Sequence, residues 1–232
     1  MNLSERMKAN SGLVPRSECL ADVGTDHGYV PICLVKEGRV RRAVAMDVNE
    51  GPLRRAEENI AREGLTDRIS VRLSDGLLGL EPGEADVVLI AGMGGPLTIR
   101  ILEMGKEKLA AGLKVAALVL QPQSEVPAVR RYLHENGWLI RREDMVLEDG
   151  KFYPAMQAVR GHEDLSDMQI VYGPRLLQEK HPVLKEYLLH EERTLRRVLE
   201  NLERASGSRK EERIAEVRRK LSENRRAQAE YA

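Results

Sequence analysis

Four short segments of this 232-residue chain put carboxylates, glycines and amides where strands should end. The first is Asp22-Val-Gly-Thr-Asp-His-Gly28, a glycine-rich turn in which a backbone can approach a ligand closely. A dinucleotide would rest its pyrophosphate on such a turn, but the G-x-G-x-x-G spacing is missing, and Asp22 and Asp26 would repel it. A ligand with a cationic end and no phosphate suits the pair better. S-adenosyl-L-methionine, which carries an ammonium and a sulfonium, is such a ligand.

The second acidic position, Asp47, comes 25 residues after Asp22, where a carboxylate can hold a ribose diol. Nicotinamide and S-adenosylmethionine enzymes share that feature, so it does not separate them. Asp75-Gly76 stands where an adenine edge could be read, with an ordinary Asp-Gly turn as the plain alternative. Ala91-Gly-Met-Gly-Gly95 follows an apolar run and can leave a narrow, backbone-lined slot for an acceptor; no Gly-Lys-Ser/Thr follows to make it a phosphate loop. Gln121-Pro-Gln123 adds amides able to bond a base edge, or simply closes a loop. His27 gains interest only from its neighbour Asp26. The other four histidines have no metal-ligand spacing, and no Ser-His-Asp or Cys-His arrangement can be argued, so no metal is expected.

These segments need a frame, and the spacing of apolar residues supplies one. Leu20–Val23, Ala43–Val48, Ile69–Leu73, Asp86–Ile90 and Val115–Leu120 read as strands; the last two are continuous apolar runs, as in central strands buried on both faces. Helical patterns alternate with them, including one opened by Asn49, one over about 96–110 and one over about 126–136. Asp149-Gly150 between strand-like runs 138–147 and 153–159 signals a closing hairpin. The expected fold is α/β, a doubly wound, mostly parallel sheet over residues 1–160. Residues 161–182 read as irregular. From Pro182 the 3/4 spacing of Leu184, Leu188, Leu195, Val198 and Leu202, resumed at Ile214, Val217 and Leu221, predicts an antiparallel coiled-coil hairpin, with Ala205–Arg209 as its turn. A helix pair merely packed on the main domain is the alternative. Residues 161–232 thus form a linker and a second domain.

Lys+Arg and Asp+Glu each total 37, which excludes a uniformly basic nucleic-acid binder but not a patchy RNA surface. Pairs such as Arg54-Arg55, Arg130-Arg131 and Arg196-Arg197 are read either as solvated faces or as phosphate contacts. Eight aromatic residues are too few for a base-stacking platform, and two cysteines too few for a disulfide framework. No run of 18 apolar residues and no apolar leader occurs, so a cytoplasmic protein without membrane contact is expected.

The motifs LADVGTDHGYVP (Leu20–Pro31), GEADVVLIAGMGG (Gly83–Gly95), LQPQ (120–123) and EDGKFY (148–153), with Leu-Ser-x-Arg at Leu3–Arg6, together resemble the bacterial TrmK family. Those are class I S-adenosylmethionine-dependent methyltransferases acting on N1 of adenine 22 in tRNA. The resemblance implies a Rossmann-like seven-stranded sheet, S-adenosyl-L-methionine as cofactor and tRNA as partner. It carries cofactor binding onto Asp22, Gly24, Thr25, Gly28, Asp47, Val48, Asp75, Gly76, Ala91 and Gly92. Substrate binding falls on Tyr29, Met93, Gly94, Gly95, Gln121, Pro122, Gln123 and Tyr153. Asp26 and His27 take the catalytic role, Asp26 facing the charge that builds on the adenine and His27 helping to place the base. Asp47 stands where many relatives have Glu, and Gly28 where some have Ala. The hairpin is expected to grip the tRNA, and the working unit to be a monomer or weak homo-oligomer. Competing expectations are another acceptor on the same fold, a nicotinamide oxidoreductase, disfavoured by Asp22, and a non-catalytic RNA-binding protein.

Overall fold

The computed structural model describes residues 3–110, 115–204 and 210–231. The chain divides after Asp164 into two compact units.

The first unit is a seven-stranded sheet. In chain order it runs α1 (Glu5–Leu13), β1 (Ser17–Val23), α2 (Tyr29–Lys36), β2 (Val40–Asp47), α3 (Glu50–Arg62), β3 (Ile69–Leu73) and β4 (Val87–Met93). It continues with α4 (Gly95–Met104), β5 (Ala117–Pro122), α5 (Val126–Glu135), β6 (Trp138–Glu148) and β7 (Lys151–Arg160). The strand order is β3-β2-β1-β4-β5-β7-β6. The first five strands are parallel and β7 runs antiparallel to β5 and β6.

Alternating side chains of the central strands feed two cores. Ala21, Val23, Val88, Ile90, Leu118 and Leu120 face one side, where Ile101 and Leu102 of α4 and Val129 and Leu133 of α5 cover them. Leu20, Ala45, Leu89 and Val119 face the other, under Ile32, Leu34 and Val35 of α2 and Ala56 and Ile60 of α3. Burial on both faces is why these strands read as unbroken apolar runs. The order reverses between β1 and β4, so their carboxyl ends diverge into a crevice, the usual ligand position in an open α/β sheet.

Several boundaries differ from the sequence reading. α1 was not anticipated: apart from Leu13 its buried residues are Ala9, Asn10 and Ser11, which make no apolar stripe. Its start is set by Ser4, whose hydroxyl caps the Met7 amide. β4 runs on through a bulge at Gly92 to Met93, so Ala91–Met93 is strand rather than loop. α4 stops at Met104, with Gly105 as its C-cap packed so closely on Leu77 that no side chain would fit there. Arg130 is neither solvated nor free for phosphate: it is 1% exposed and its Nε donates to Glu143 Oε1 at 2.9 Å, tying α5 to β6.

The second unit holds α6 (Asp167–Tyr172), α7 (Pro174–Gln178), α8 (Pro182–Arg204) and α9 (Lys210–Ala229). The stretch read as irregular therefore contains two short helices. Ser166 and Gln169 form a capping box that starts the first, and Gly173 at φ 100° with Pro174 behind it separates the two. α8 and α9 pair within the chain, burying Leu184, Leu188, Ile214, Val217 and Leu221. The turn expected at Ala205–Arg209 lies outside the described residues.

Candidate active site

The turn after β1 is built on three left-handed residues. Gly24 (φ 77°) turns the chain, and its amide and that of Thr25 both donate to the Met46 carbonyl of β2, at 2.8 and 2.9 Å. A side chain at Gly24 would meet the Met93 methyl, so the first turn and the end of β4 touch here. His27 (φ 60°) and Gly28 (φ 67°) follow, a costly conformation for a histidine. The buried Asn59 amide of α3 braces it by donating to the His27 carbonyl at 2.8 Å.

That backbone groups Asp26, His27 and Tyr29. The imidazole lies 3.3 Å from Asp26 Oδ1 and stacks on Tyr29, with centroids 5.1 Å apart and planes 8° from parallel. Arg55 of α3, which the sequence offered only as half of a double arginine, stands 3.7 Å from the same carboxylate. Both partners are more than half exposed, so the pairing is loose and contributes little energy.

Asp22 has a different environment. It is 7% exposed at the end of β1, and among the described residues no cation pairs with it. Burial pushes its carboxyl from an ordinary 3.8 to about 6; Thr25 draws it back and the Asp47 charge adds to the rise. Asp47, ending β2, spends Oδ1 on the Asn49 amide at 2.8 Å. Val48 beside it is 61% exposed, an apolar side chain presented at the crevice rim. Asp75 is paired loosely with Arg100 at 3.5 Å, and Gly76 (φ 59°) has Ile101 where a Cβ would point.

One cavity of about 240 Å³ joins these parts. Asp22, Gly24 and Asp26 line it from the first turn, Ala91 and Gly92 from β4, and Gln121 and Gln123 from β5. Val30 of α2 and Leu89 of β4 add apolar surface, and α1 closes it through Arg6, Met7 and Asn10. Among the described residues, both amide atoms of Gln121 and Oδ1 of Asn10 are buried without a hydrogen-bond partner. Arg6 is steered by Glu148 at 3.8 Å and lies 4.9 Å over the ring of Tyr153, which is how the distant EDGKFY segment reaches this region. The sequence offered one signal for α1, the Ser4 cap before Arg6.

Other expected residues have structural employment. The Gly95 amide donates to the Ser124 carbonyl at 3.0 Å, and a Cβ there would strike the Ser124 and Glu125 backbone. Gly94 caps α4, Pro122 is buried in β5 opposite Met93, and Gln123 donates its amide to the Met93 carbonyl at 2.8 Å. Thr25, His27, Gly28, Tyr29, Asp47, Val48, Asp75, Gly76, Met93, Gly94, Gly95, Pro122 and Tyr153 do not line the cavity. A larger groove of about 1120 Å³ lies at the opposite, amino ends of β1 and β2, among Arg16, Arg39, Arg41, Arg42 and Arg68. Arg39 and Arg68 there are tied to the Ser11 and Val35 carbonyls, and the Gly38 turn that lines it carries no carboxylate of the candidate site.

Among the described residues no group of three or more His, Cys, Asp or Glu could hold a metal ion, and no helix is long and apolar enough to cross a membrane. The buried, unpaired carboxyl of Asp22 fits a cationic ligand, and the acidic crevice of β1 and β2 does not suit a phosphate.

Comparison with known proteins gives a consistent result. The profile of the TrmK family, described as tRNA (adenine(22)-N(1))-methyltransferase, matches residues 20–226. The tRNA (adenine(22)-N(1))-methyltransferase of Bacillus subtilis is 34% identical over 189 residues, covering 79% of this chain and 78% of that protein. A Streptococcus pneumoniae structure in complex with S-adenosyl-L-methionine is 34% identical with a TM-score of 0.87, covering 98% of this chain and 100% of that one. M. capricolum TrmK in complex with S-adenosyl-homocysteine is 26% identical with a TM-score of 0.84, covering 98% of each chain.

Proposed function

The chain belongs to the TrmK family of tRNA (adenine(22)-N(1))-methyltransferases, and from that premise we propose how its residues divide the work. It is an enzyme that uses S-adenosyl-L-methionine to methylate N1 of adenine 22 in tRNA. We assign the cofactor to the carboxyl ends of β1 to β4. Asp22 would take its cationic end, Gly24, Thr25 and Gly28 the close backbone approach, and Asp47 the ribose diol. Val48, Asp75 and Gly76 would line its adenine, with Ala91 and Gly92 beside the reacting centre. Bound there, S-adenosyl-L-methionine supplies an electrophilic methyl group on a sulfonium.

The single observation that carries this assignment is the carboxyl of Asp22, buried at the end of β1 without a cation to balance it. An acidic group in that state favours a positively charged ligand over any phosphate.

N1 of adenine attacks through a lone pair, so no side chain has to remove a proton first. What the chain must do is place the base, exclude water and face the positive charge that the adenine acquires. Asp26 is assigned to that charge, and the His27–Tyr29 stack to holding the ring. Met93, Gly94, Gly95, Gln121, Pro122, Gln123 and Tyr153 are assigned to the acceptor side, Gly94, Gly95 and Pro122 through backbone shape. Residues 1–160 would carry catalysis, and residues 161–232 would hold the body of the tRNA in the cytoplasm.

The test is methyl transfer from labelled S-adenosyl-L-methionine to unmodified tRNA, with nucleoside analysis. Asp26→Ala should lower kcat by about 10- to 100-fold while cofactor affinity holds, the scale of losing one group aimed at developing charge. Full turnover in that variant would remove Asp26 from the chemistry. Asp22→Ala should instead abolish cofactor binding, and unchanged affinity would sink the assignment of the cationic end.

A further inference from the structure

We infer that Asn10 of α1 and Gln121 of β5 read the amino group and N7 of the target adenine, and hold its N6 more tightly as N1 is methylated. This rests on reading the α1 and β5 side of the cavity as the acceptor site.

Gln121 is 1% exposed and Asn10 is 3% exposed, and both line the same cavity. Neither amide atom of Gln121 and not Oδ1 of Asn10 has a hydrogen-bond partner among the described residues. Buried polar groups in folded proteins are nearly always satisfied, so unpartnered ones that converge on one cavity point to a ligand.

The reaction restricts which edge of the base can be held. N1 must stay bare because its lone pair forms the bond to the methyl carbon; the S–C bond breaks with its pair passing to sulfur, and no proton moves. Adenine then offers a donor, the N6 amino group, and an acceptor, N7. A carboxamide matches these bidentately, its oxygen accepting from N6–H and its nitrogen donating to N7. Gln121 supplies both atoms. The second N6–H points to the N1 side of the ring and takes an acceptor, which Asn10 Oδ1 provides. Methylation spreads positive charge over N1, C6 and N6, so both acceptors bind more strongly in the transition state than in the ground state. Interactions of that kind raise kcat and not merely affinity.

The experiment uses the full chain and tRNA transcripts carrying adenosine or 7-deazaadenosine at position 22. Gln121→Met and the deaza base should each lower kcat/KM by roughly 10-fold or more, and the two losses should not multiply when combined. S-adenosyl-L-methionine affinity should stay within about twofold, and the thermal midpoint of Gln121→Met should hold or rise, because no intramolecular bond is lost. Asn10→Ala should lower kcat with the adenosine transcript while cofactor affinity holds. Losses that multiply, a cofactor affinity that falls in step with kcat/KM, or a midpoint lowered by several degrees would each overturn the assignment. Wild-type enzyme that leaves adenosine 22 unmodified would overturn the acceptor reading of the cavity and this inference with it. Turnover without coupling overturns the inference alone.

Discussion

Two groups of buried polar side chains in this molecule are built on opposite principles. In the helical unit the group around Glu191 and Asn224 answers itself. The Tyr172 hydroxyl donates to Glu191 at 2.8 Å, Asn224 Nδ2 donates to the Leu188 carbonyl at 3.0 Å and to Glu191 at 2.9 Å, and Gln228 donates to Asn224 and to Glu192. Burial and the Glu191 charge hold the Tyr172 hydroxyl far above the usual tyrosine range, while Gln228 and Arg196 pull Glu192 down to about 2. Arg130 and Glu143 form a closed pair of the same kind in the α/β unit. In the cavity beside β1 and β5, by contrast, Asp22 lacks a cation and Asn10 and Gln121 lack partners. Closed sets fix how helices and strands meet. Open sets are left for something that is not part of the chain.

Removing one member of a closed set should therefore damage stability, and removing one from an open set should damage function. The largest effect is expected at Arg130→Met, which strands Glu143 in the core and should cost about 3–5 kcal/mol in urea unfolding. A loss under about 1 kcal/mol would show that the pair is not closed in the sense argued. Next is Asp22, where the sign reverses. Its raised pKa means that ligand-free stability is fullest below pH 3.8, falls as pH climbs to about 6, and stays reduced above that. The shift corresponds to roughly 3 kcal/mol at neutral pH, so Asp22→Asn should raise ligand-free stability at pH 7 by up to that amount. S-adenosyl-L-methionine favours the carboxylate, so its affinity for the wild type should increase across the same window; calorimetry at pH 5 and pH 7 checks this. Asn224→Ala should cost about 1–3 kcal/mol by opening a closed set, with cofactor affinity untouched. The smallest effect is expected from neutralising the exposed Arg193 and Arg197 of α8. A rise of a few-fold in KM for tRNA, larger at low salt and without change in stability, would assign those charges to phosphate contact.

How much of this was legible in the sequence depends on the range of the interactions. Central strands announced themselves because two-sided burial demands apolar residues at every position, as in Val87–Ile90 and Leu118–Leu120. Asp22, Gly24 and Asp26 stood out because their types are unusual at a strand end. α1 left no such trace: it docks through small and polar residues, and Asn10 and Arg6 reach the cavity only because the chain folds back over the last two strands of the sheet. Arg130-Arg131 looked like any double arginine until Glu143 of β6 arrived beside it. The short helices α6 and α7 were hidden by the breakers Gly173 and Pro174, which divide two helices where the reading saw none.

The docking of α1 also sets an order of events. Its Arg6 amide bonds to Glu148 across 142 residues, and its Leu13 carbonyl accepts from Gln157 across 144. At ordinary synthesis speeds those partners leave the ribosome on the order of ten seconds apart. The turn that holds Asp22 needs only β1, β2 and β4 around it, whereas the wall that holds Asn10 must wait for the hairpin that ends at Arg160. A growing chain can thus complete the crevice at Asp22 well before the cavity wall at Asn10, which forms only when the earliest helix meets the latest strands.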